Sequence, residues 1–428
     1  MSQAATADRK AYGILGMLFL FQTLNFFDKL VFGLSAVPMM RELQITPKQY
    51  GLIGSLFFLL FSVSGTLVGL FVIGRVRTKW ILIALALTWT ASQVPMFFTT
   101  SLAVVALCRL VLGIGEGPGL PTALHACYDW FPKERRSVPS AVVLQGISAG
   151  FLIGSPVLSY VIINYGWRYG FLTCAALGVA WMVAWLVVGA DGPMATVGPV
   201  AAVEGDRVPN RMLWLDPTVI GVILMSFASY WVVGMSAIWL PPFLQLGLGY
   251  SPSTVGWIIS AVFAFQSPLL LGGSWVCQTM QRRGLSGRVS LGHATTLALL
   301  AAGISLLVAV HVSGPLQLVL VAVAFAAPSL TTIFGPVTLG NVAPVAQRGT
   351  LIVVIYSGNA SAALFSTYLT GVLVEAGPTT AQGFATAMTV AAAVLIAGAV
   401  ASLALIFPER TILRFRGHLL STQNKVPA

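Results

Sequence analysis

Residues 102–129 read LAVVALCRLVLGIGEGPGLPTALHACYD. The run is long enough to cross a bilayer, whose hydrocarbon core takes about 20 helical residues. Yet it carries Arg109 and Glu116 inside it, and a cluster of glycine and proline follows them. Each such charge costs roughly 2.5–3.5 kcal/mol at the centre of a membrane helix. Charges kept in spite of that cost face a bundle interior or a wet cavity, and they pair. Glycine and proline at this density are tolerated in lipid where helices approach closely or freed backbone faces a cavity. The stretch therefore reads as one spanning helix of a polytopic membrane protein with a polar interior.

The rest of the chain agrees. Its 428 residues are 57% hydrophobic and 8% charged, against about 25% charged in an ordinary soluble domain. Twelve apolar spans are predicted: 12–40, 49–73, 80–99, 102–129, 138–163, 169–189, 214–245, 253–276, 289–311, 315–342, 349–375 and 383–407. The fold class is thus all-α, with twelve transmembrane helices in two six-helix bundles. The expected units are 1–189, a cytoplasmic linker 190–213, 214–407 and a cytoplasmic tail 408–428. Net charge is +11, but 18 of the 23 Lys+Arg lie in the two tails and in alternate connections. That asymmetry is the positive-inside pattern, which puts both termini in the cytoplasm and argues against nucleic acid as a partner. Met1–Lys10 holds no cleavage site, so no removable signal is expected. Cys108, Cys127, Cys174 and Cys277 have no CxxC spacing and read as small apolar residues.

The halves echo each other. Thr46-Pro47 opens span 2 as Ser251-Pro252 opens span 8, and Phe131-Pro132 follows span 4 as Ala343-Pro344 follows span 10. A 6+6 repeat is the layout of transporters that rock two bundles about a midplane site. Span 5 carries Gly146, Gly150 and Gly154 four apart, a stripe for close helix packing.

Span 1 supplies two more charges, Asp28 and Lys29. At about 1.5 Å of rise per residue, all four charges fall in one slab near the midplane. Arg109 and Glu116 are seven apart, on one helix face. Gln22, Asn25 and Lys29 form a polar stripe on span 1. Asp28 projects about a quarter turn from Lys29, so the two need not share a partner. Lys29 and Arg109 are read as the seat of an anionic substrate, most simply a carboxylate, with Arg offering a planar fork and Lys a point charge. Asp28 and Glu116 are read as proton sites, because burial favours a neutral carboxyl and a nearby cation favours a charged one. The competing reading is a static ion-pair latch between spans 1 and 4.

These residues resemble a known family. Asn25-Phe26-Phe27-Asp28-Lys29 resembles the N-Y-x-D-R signature of the anion:cation symporters, a branch of the major facilitator superfamily. The run from Arg109 through Gly113 to Glu116, Pro121 and Trp130-Phe131-Pro132-Lys133-Glu134-Arg135 resembles its R-x-x-L-G-x-x-E…P…W-F-P-x-x-E-R run. Gly166-Trp167-Arg168 with Phe171, and Trp239-Leu240-Pro241, resemble two further motifs. The resemblance implies an importer of small organic anions with protons, Asp28 and Glu116 as the protonatable pair, and Lys29 where the family binds substrate with Arg. It also implies Gln145 and Asn359 as substrate hydrogen-bonders; Tyr356 beside Asn359, Phe61 and Trp239, the last as a stacking wall, are read as further neutral substrate contacts. A bacterial inner membrane, a monomeric state, contact with membrane lipids and no cofactor beyond the coupling proton complete the expectation.

Departures narrow the substrate. Phe26 and Phe61 stand where the family has tyrosines, and Gly65 where a Gln is common. A site that selects polyols must pair each hydroxyl, so an aromatic or short aliphatic carboxylate is favoured over an aldonate. The loop motif after span 2 lacks its Asp and keeps only Arg75, Arg77 and Lys79. The chain holds no Walker A loop, zinc signature or nucleophile elbow, so an ATP-driven pump or an enzyme is not expected. The alternatives are an anion exchanger or drug/proton antiporter and, in another class, a non-transporting membrane receptor.

Overall fold

A computed structural model describes residues 3–132, 135–195 and 206–423. Among them twelve helices are long and apolar enough to cross a membrane: Arg9–Leu34, Pro47–Phe71, Thr78–Phe98, Leu102–Tyr128, Val138–Tyr165, Trp167–Val188, Pro217–Ile238, Pro252–Arg282, Arg288–Ala309, Pro315–Val342, Val345–Ala376 and Thr380–Leu405. They are spans 1 to 12 below. Lys133 and Glu134 of the motif after span 4, and residues 196–205 of the expected linker, lie outside the described residues.

The helix starts explain the echo between halves. Thr46 Oγ1 accepts from Gln49 N at 3.3 Å while Gln49 Oε1 accepts from Thr46 N at 3.0 Å, a reciprocal cap with Pro47 in the first turn. Ser251 Oγ accepts from Thr254 N at 3.3 Å, just ahead of Pro252. A hydroxyl followed by proline closes the exposed N–H groups of span 2 and span 8 in the same way.

Two pairs of corresponding spans are interrupted, and here the expected boundaries are corrected. Span 1 was expected to run to residue 40, but it stops at Leu34, bends at Ser35 and resumes as Ala36–Glu42. Span 7 was expected to reach 245. It stops at Ile238, because Pro241 and Pro242 supply no N–H to continue it, and a short helix Leu240–Pro242 leads into a wide turn over Phe243–Gly247. Span 4 consists of Leu102–Glu116 and Gly119–Tyr128, parted at Gly117 and Pro118. Span 10 is parted by a tight turn, Ala327–Leu330, around Pro328. The Pro328 carbonyl accepts from Ser229 Oγ at 2.7 Å and Thr331 Oγ1 at 2.8 Å, so hydroxyls replace the partners that the turn removes.

Contacts group the chain into two compact units. One comprises Met1–Val200, Gly234–Ala264 and Leu364–Phe384; the other comprises Ala201–Val233, Phe265–Ala363 and Ala385–Ala428. In the first unit, span 5 lies against span 1 through its glycine stripe. A Cβ on Gly146 would meet Gln22 Cβ at 2.7 Å, one on Gly150 would meet Phe26 Cβ at 2.6 Å, and one on Gly154 would meet the Phe27 ring at 2.9 Å. Gly113 and Gly117 of span 4 likewise sit on the carbonyls of Phe57 and Phe61 in span 2. Gly119 of span 4 approaches span 1 itself, since a Cβ there would lie 3.5 Å from Phe21 and 3.6 Å from Asn25.

In the second unit the helix Pro408–Gln423 is fastened to the start of span 7. Asp216 Oδ1 accepts from Thr411 Oγ1 at 2.8 Å and Thr218 N at 2.9 Å, and its other oxygen lies 3.6 Å from Arg414. Arg410 stacks 4.6 Å from the centre of the Phe407 ring. Arg410 and Arg414 of the tail thus have partners within the protein.

Candidate functional site

Lys29 has two polar partners. Its Nζ donates to Asn25 Oδ1 at 2.5 Å, one turn earlier on span 1, and lies 2.5 Å from Glu116 Oε2 at the last residue before the break in span 4. Phe26, Phe61 and Phe57 surround the ammonium, with ring centres 4.5, 5.5 and 5.8 Å away. Aromatic faces attract a cation through the ring quadrupole. They therefore do for Lys29 what the hydroxyls absent at 26 and 61 cannot.

Asp28 is turned elsewhere. Its Oδ1 accepts from Gln93 Nε2 of span 3 at 2.8 Å, and the Cys174 thiol of span 6 is its second partner. Both donors are neutral, and no ion pair to Asp28 exists among the described residues. Arg109 is the converse case. The residue is 2% exposed, and none of its three guanidinium nitrogens has a hydrogen-bond partner among the described residues. Its Cζ lies 4.4 Å from the centre of the Phe32 ring and 4.8 Å from that of Phe57.

The site thus contains one ion pair, one carboxyl held by neutral donors and one buried cation that makes no ion pair or hydrogen bond among the described residues. Lys29 and Arg109 flank the same Phe57 ring. Removing a cation from water without pairing it costs several kcal/mol, so the arrangement favours any anion able to reach Arg109.

A model of the Major Facilitator Superfamily matches residues 18–292, well over half of the chain. The chain belongs to the Major Facilitator Superfamily. That places it among multi-pass membrane transporters and not among enzymes. It is similar to the hexuronate transporter of Bacillus subtilis, with 23% identity over 64% of this chain and 66% of that one. It is similar to the probable sulfoacetate transporter SauU of Cupriavidus necator, with 26% identity over 55% and 58%. It is also similar to the D-galactonate transporter of Escherichia coli, with 24% identity over 66% and 70%. The match spans less than two thirds of the first two relatives' length. Among solved structures, the fold is similar to a bacterial homolog of the human lysosomal transporter Spinster in its inward-facing and occupied conformation. That pair has a TM-score of 0.77 and 17% identity, over 94% of this chain and 98% of that one. A D-xylose–proton symporter gives 0.74 and 16%, over 94% and 99%.

The remaining expected site residues of this superfamily member are dispersed. Trp239, read as a stacking wall, is fully buried. Its indole N–H donates to Thr367 O at 2.8 Å, and Tyr50 and Phe384 pack edge-on against it at 5.2 and 5.8 Å. Packing and that bond occupy the ring. Gln145 is half-buried on span 5, beside Gly146. Tyr356 and Asn359 belong to the second unit. Tyr356 donates to Thr331 O at 3.0 Å, and Asn359 is buried with an Nδ2 that has no hydrogen-bond partner among the described residues.

Gln93, Cys174, Phe32 and Phe57 were missed by sequence reasoning. Gln93 alone carried a usable signal, as a lone carboxamide well inside an apolar span, where polar groups mark interior faces. Phe32 and Phe57 are two among 24 phenylalanines and carry no mark of their own.

Proposed function

We propose that this chain imports a small organic anion, a carboxylate, together with protons across a bacterial inner membrane by alternating access. The observation that carries the reading is Arg109, buried with no hydrogen-bond partner on its guanidinium. A planar carboxylate fits that fork in two parallel hydrogen bonds. The names of the similar transporters, for hexuronate, sulfoacetate and D-galactonate, all denote organic anions and support the same class.

In this reading the empty site rests with Lys29 closed on Glu116. An arriving carboxylate engages Arg109 and competes for Lys29. Glu116, deprived of its cation, takes a proton. Asp28 takes the other, on the carboxyl that Gln93 and Cys174 hold. The halves 1–189 and 214–407 then exchange access about the midplane. The transporter acts as a monomer in lipid, with both termini cytoplasmic and the proton as its coupling ion.

The test is flux into proteoliposomes under an imposed pH gradient, across a panel of aliphatic, aromatic and sugar carboxylates. Uptake that collapses with the gradient supports symport. Substrate expelled by inward protons would make the protein an antiporter, and ligand binding without flux would make it a receptor.

A further inference from the structure

A cavity of about 540 Å³ lies in the second unit, beside the helix Pro408–Gln423. Three stretches wall it: Asp206 from the connection before span 7, residues 341–345 at the turn from span 10 to span 11, and one face of that helix. Gln347 of span 11 fixes the connection by bracketing Val208. Its Oε1 accepts from Val208 N at 3.0 Å, and its Nε2 donates to Val208 O at 2.9 Å. On the helix, Thr411 and Phe415 are buried four apart, which fastens one side to the protein. Leu413, Arg416 and Leu420 follow one another at steps of three and four residues on another side. Leu413 is 69% exposed and Leu420 56%, and Val345 on the other wall is 62% exposed.

The cavity stands where span 10 ends and span 11 begins, at the level of lipid headgroups. Large apolar side chains exposed there are unfavourable in water and favourable at the boundary between headgroups and acyl chains. Arg416 rises between two leucines, as a basic side chain does when its stem lies in lipid and its head reaches the interface. The walls are apolar at Val345, Phe415 and Leu420 and polar at Asp206, Asn341 and Arg416. Neither Asp206 nor Arg416 has an ion pair among the described residues. A carboxylate and a guanidinium that line one cavity without joining each other fit an amphiphile carrying both charges. An anionic headgroup would meet Asp206 as a like charge, and a cationic one would meet Arg416.

We infer that this cavity seats a phospholipid with a zwitterionic, primary-amine headgroup, a phosphatidylethanolamine. Its ammonium donates to the Asp206 carboxylate. Its phosphate takes the Arg416 guanidinium, whose fork suits two oxygens. Asn341 donates to an ester carbonyl of the glycerol. The volume is ordinary for a small-ligand pocket. It takes headgroup and glycerol, and the acyl chains leave past Val345 and Leu420 into the bilayer. Bound lipid ties the tail helix to the turn between spans 10 and 11.

The test equilibrates the full-length protein in detergent with equal mole fractions of palmitoyl-oleoyl phosphatidylethanolamine, phosphatidylcholine and phosphatidylglycerol, and counts retained lipid by native mass spectrometry. The wild type is expected to retain phosphatidylethanolamine about threefold or more above either competitor, the scale of one exposed ion pair. Asp206→Asn is expected to erase the advantage over phosphatidylglycerol, and Arg416→Gln to lower retention of all three lipids. Both side chains are exposed, so the variants are expected to melt with the wild type. Soluble glycerophosphoethanolamine, the headgroup without its chains, is expected not to displace the lipid. Equal retention of the three lipids overturns the site, as does a preference for phosphatidylglycerol or one that survives both substitutions. Displacement by the soluble headgroup also overturns it, since the ligand would then be a water-soluble zwitterion. The readout is binding and not flux, so its failure leaves the anion-symport reading standing.

Discussion

Arg109 is the side chain on which the functional account turns, and its surroundings make a prediction that a purely structural arginine would not meet. Phe32 and Phe57 offer cation–π attraction, worth about 2 kcal/mol when desolvated. That is less than the several kcal/mol needed to bury an unpaired ion. Arg109→Met is therefore expected to melt at or above the wild-type temperature in detergent while uptake falls at least 100-fold. A clearly lowered Tm would mean that the guanidinium is structural. Asp28 makes the complementary case. Asn keeps the shape that accepts from Gln93 but holds no exchangeable proton. Asp28→Asn is expected to abolish accumulation against a gradient and to spare substrate-for-substrate exchange. A mutant that still accumulates substrate would remove Asp28 from coupling.

At the scale of elements, the ends of helices matter as much as their spans. Gly166, at φ +97°, adopts a backbone that favours glycine and lets Trp167 and Arg168 turn back toward Glu42 at the end of the bent extension of span 1. The Trp167 indole donates to Glu42 Oε2 at 2.6 Å, Arg168 pairs with the same carboxylate, and Arg168 also reaches Thr99 O at 3.0 Å. Partial burial works against the charged carboxylate, but the indole and guanidinium bonds outweigh it and hold Glu42 below its ordinary 4.5. For a carboxyl with a depressed folded value, the stabilisation is present above the unfolded value and lost as pH falls through the folded one. The Tm difference between wild type and Glu42→Gln is expected to be steady near neutrality and to shrink below pH 4.5. The carboxylate is half-exposed, so the difference should be small, about 1 kcal/mol or less. A difference that persists in acid would assign the effect to shape instead of charge.

At the scale of the molecule, the first unit joins the first six spans to the ends of spans 7, 8, 11 and 12. Ser155 Oγ donates to Gly256 O and Ser260 Oγ to Leu152 O, both at 2.8 Å, while Phe151 stacks on Phe263. Glu375 accepts from Lys48 N at 2.9 Å. The proposed alternating access requires such contacts to part and re-form. A Cβ on residue 256 would lie 2.9 Å from that of Ser159, closer than the roughly 3.5–4.5 Å that a disulfide spans, so a slight parting of spans 5 and 8 brings the two positions to bonding range. The four native cysteines are buried and unpaired. Ser159→Cys with Gly256→Cys is therefore expected to cross-link under mild oxidant and stop flux, with recovery on reduction. Cross-linked protein that transports at the wild-type rate would show that spans 5 and 8 stay together throughout the cycle.

The sequence by itself determined the twelve spans, because membrane insertion sums apolar residues along a local stretch and needs no knowledge of neighbours. It also determined which side chains to suspect, since lipid penalises Asp28, Lys29, Arg109 and Glu116 wherever they point, and the glycine and proline after Glu116 pointed to close packing or freed backbone, although span 4 was read as one helix. The bend at Ser35 left no comparable mark, and span 1 was read as continuous to residue 40. Pairing was decided by tertiary structure alone. Asp28 and Lys29 are neighbours in the chain but about 100° apart around a helix, so their partners depend on which helices stand on either side. The glycine contacts of spans 4 and 5 set those positions. They bring Glu116 to Lys29, leave Arg109 between two phenylalanines, and expose Asp28 to a glutamine on span 3 that no local pattern connects to it.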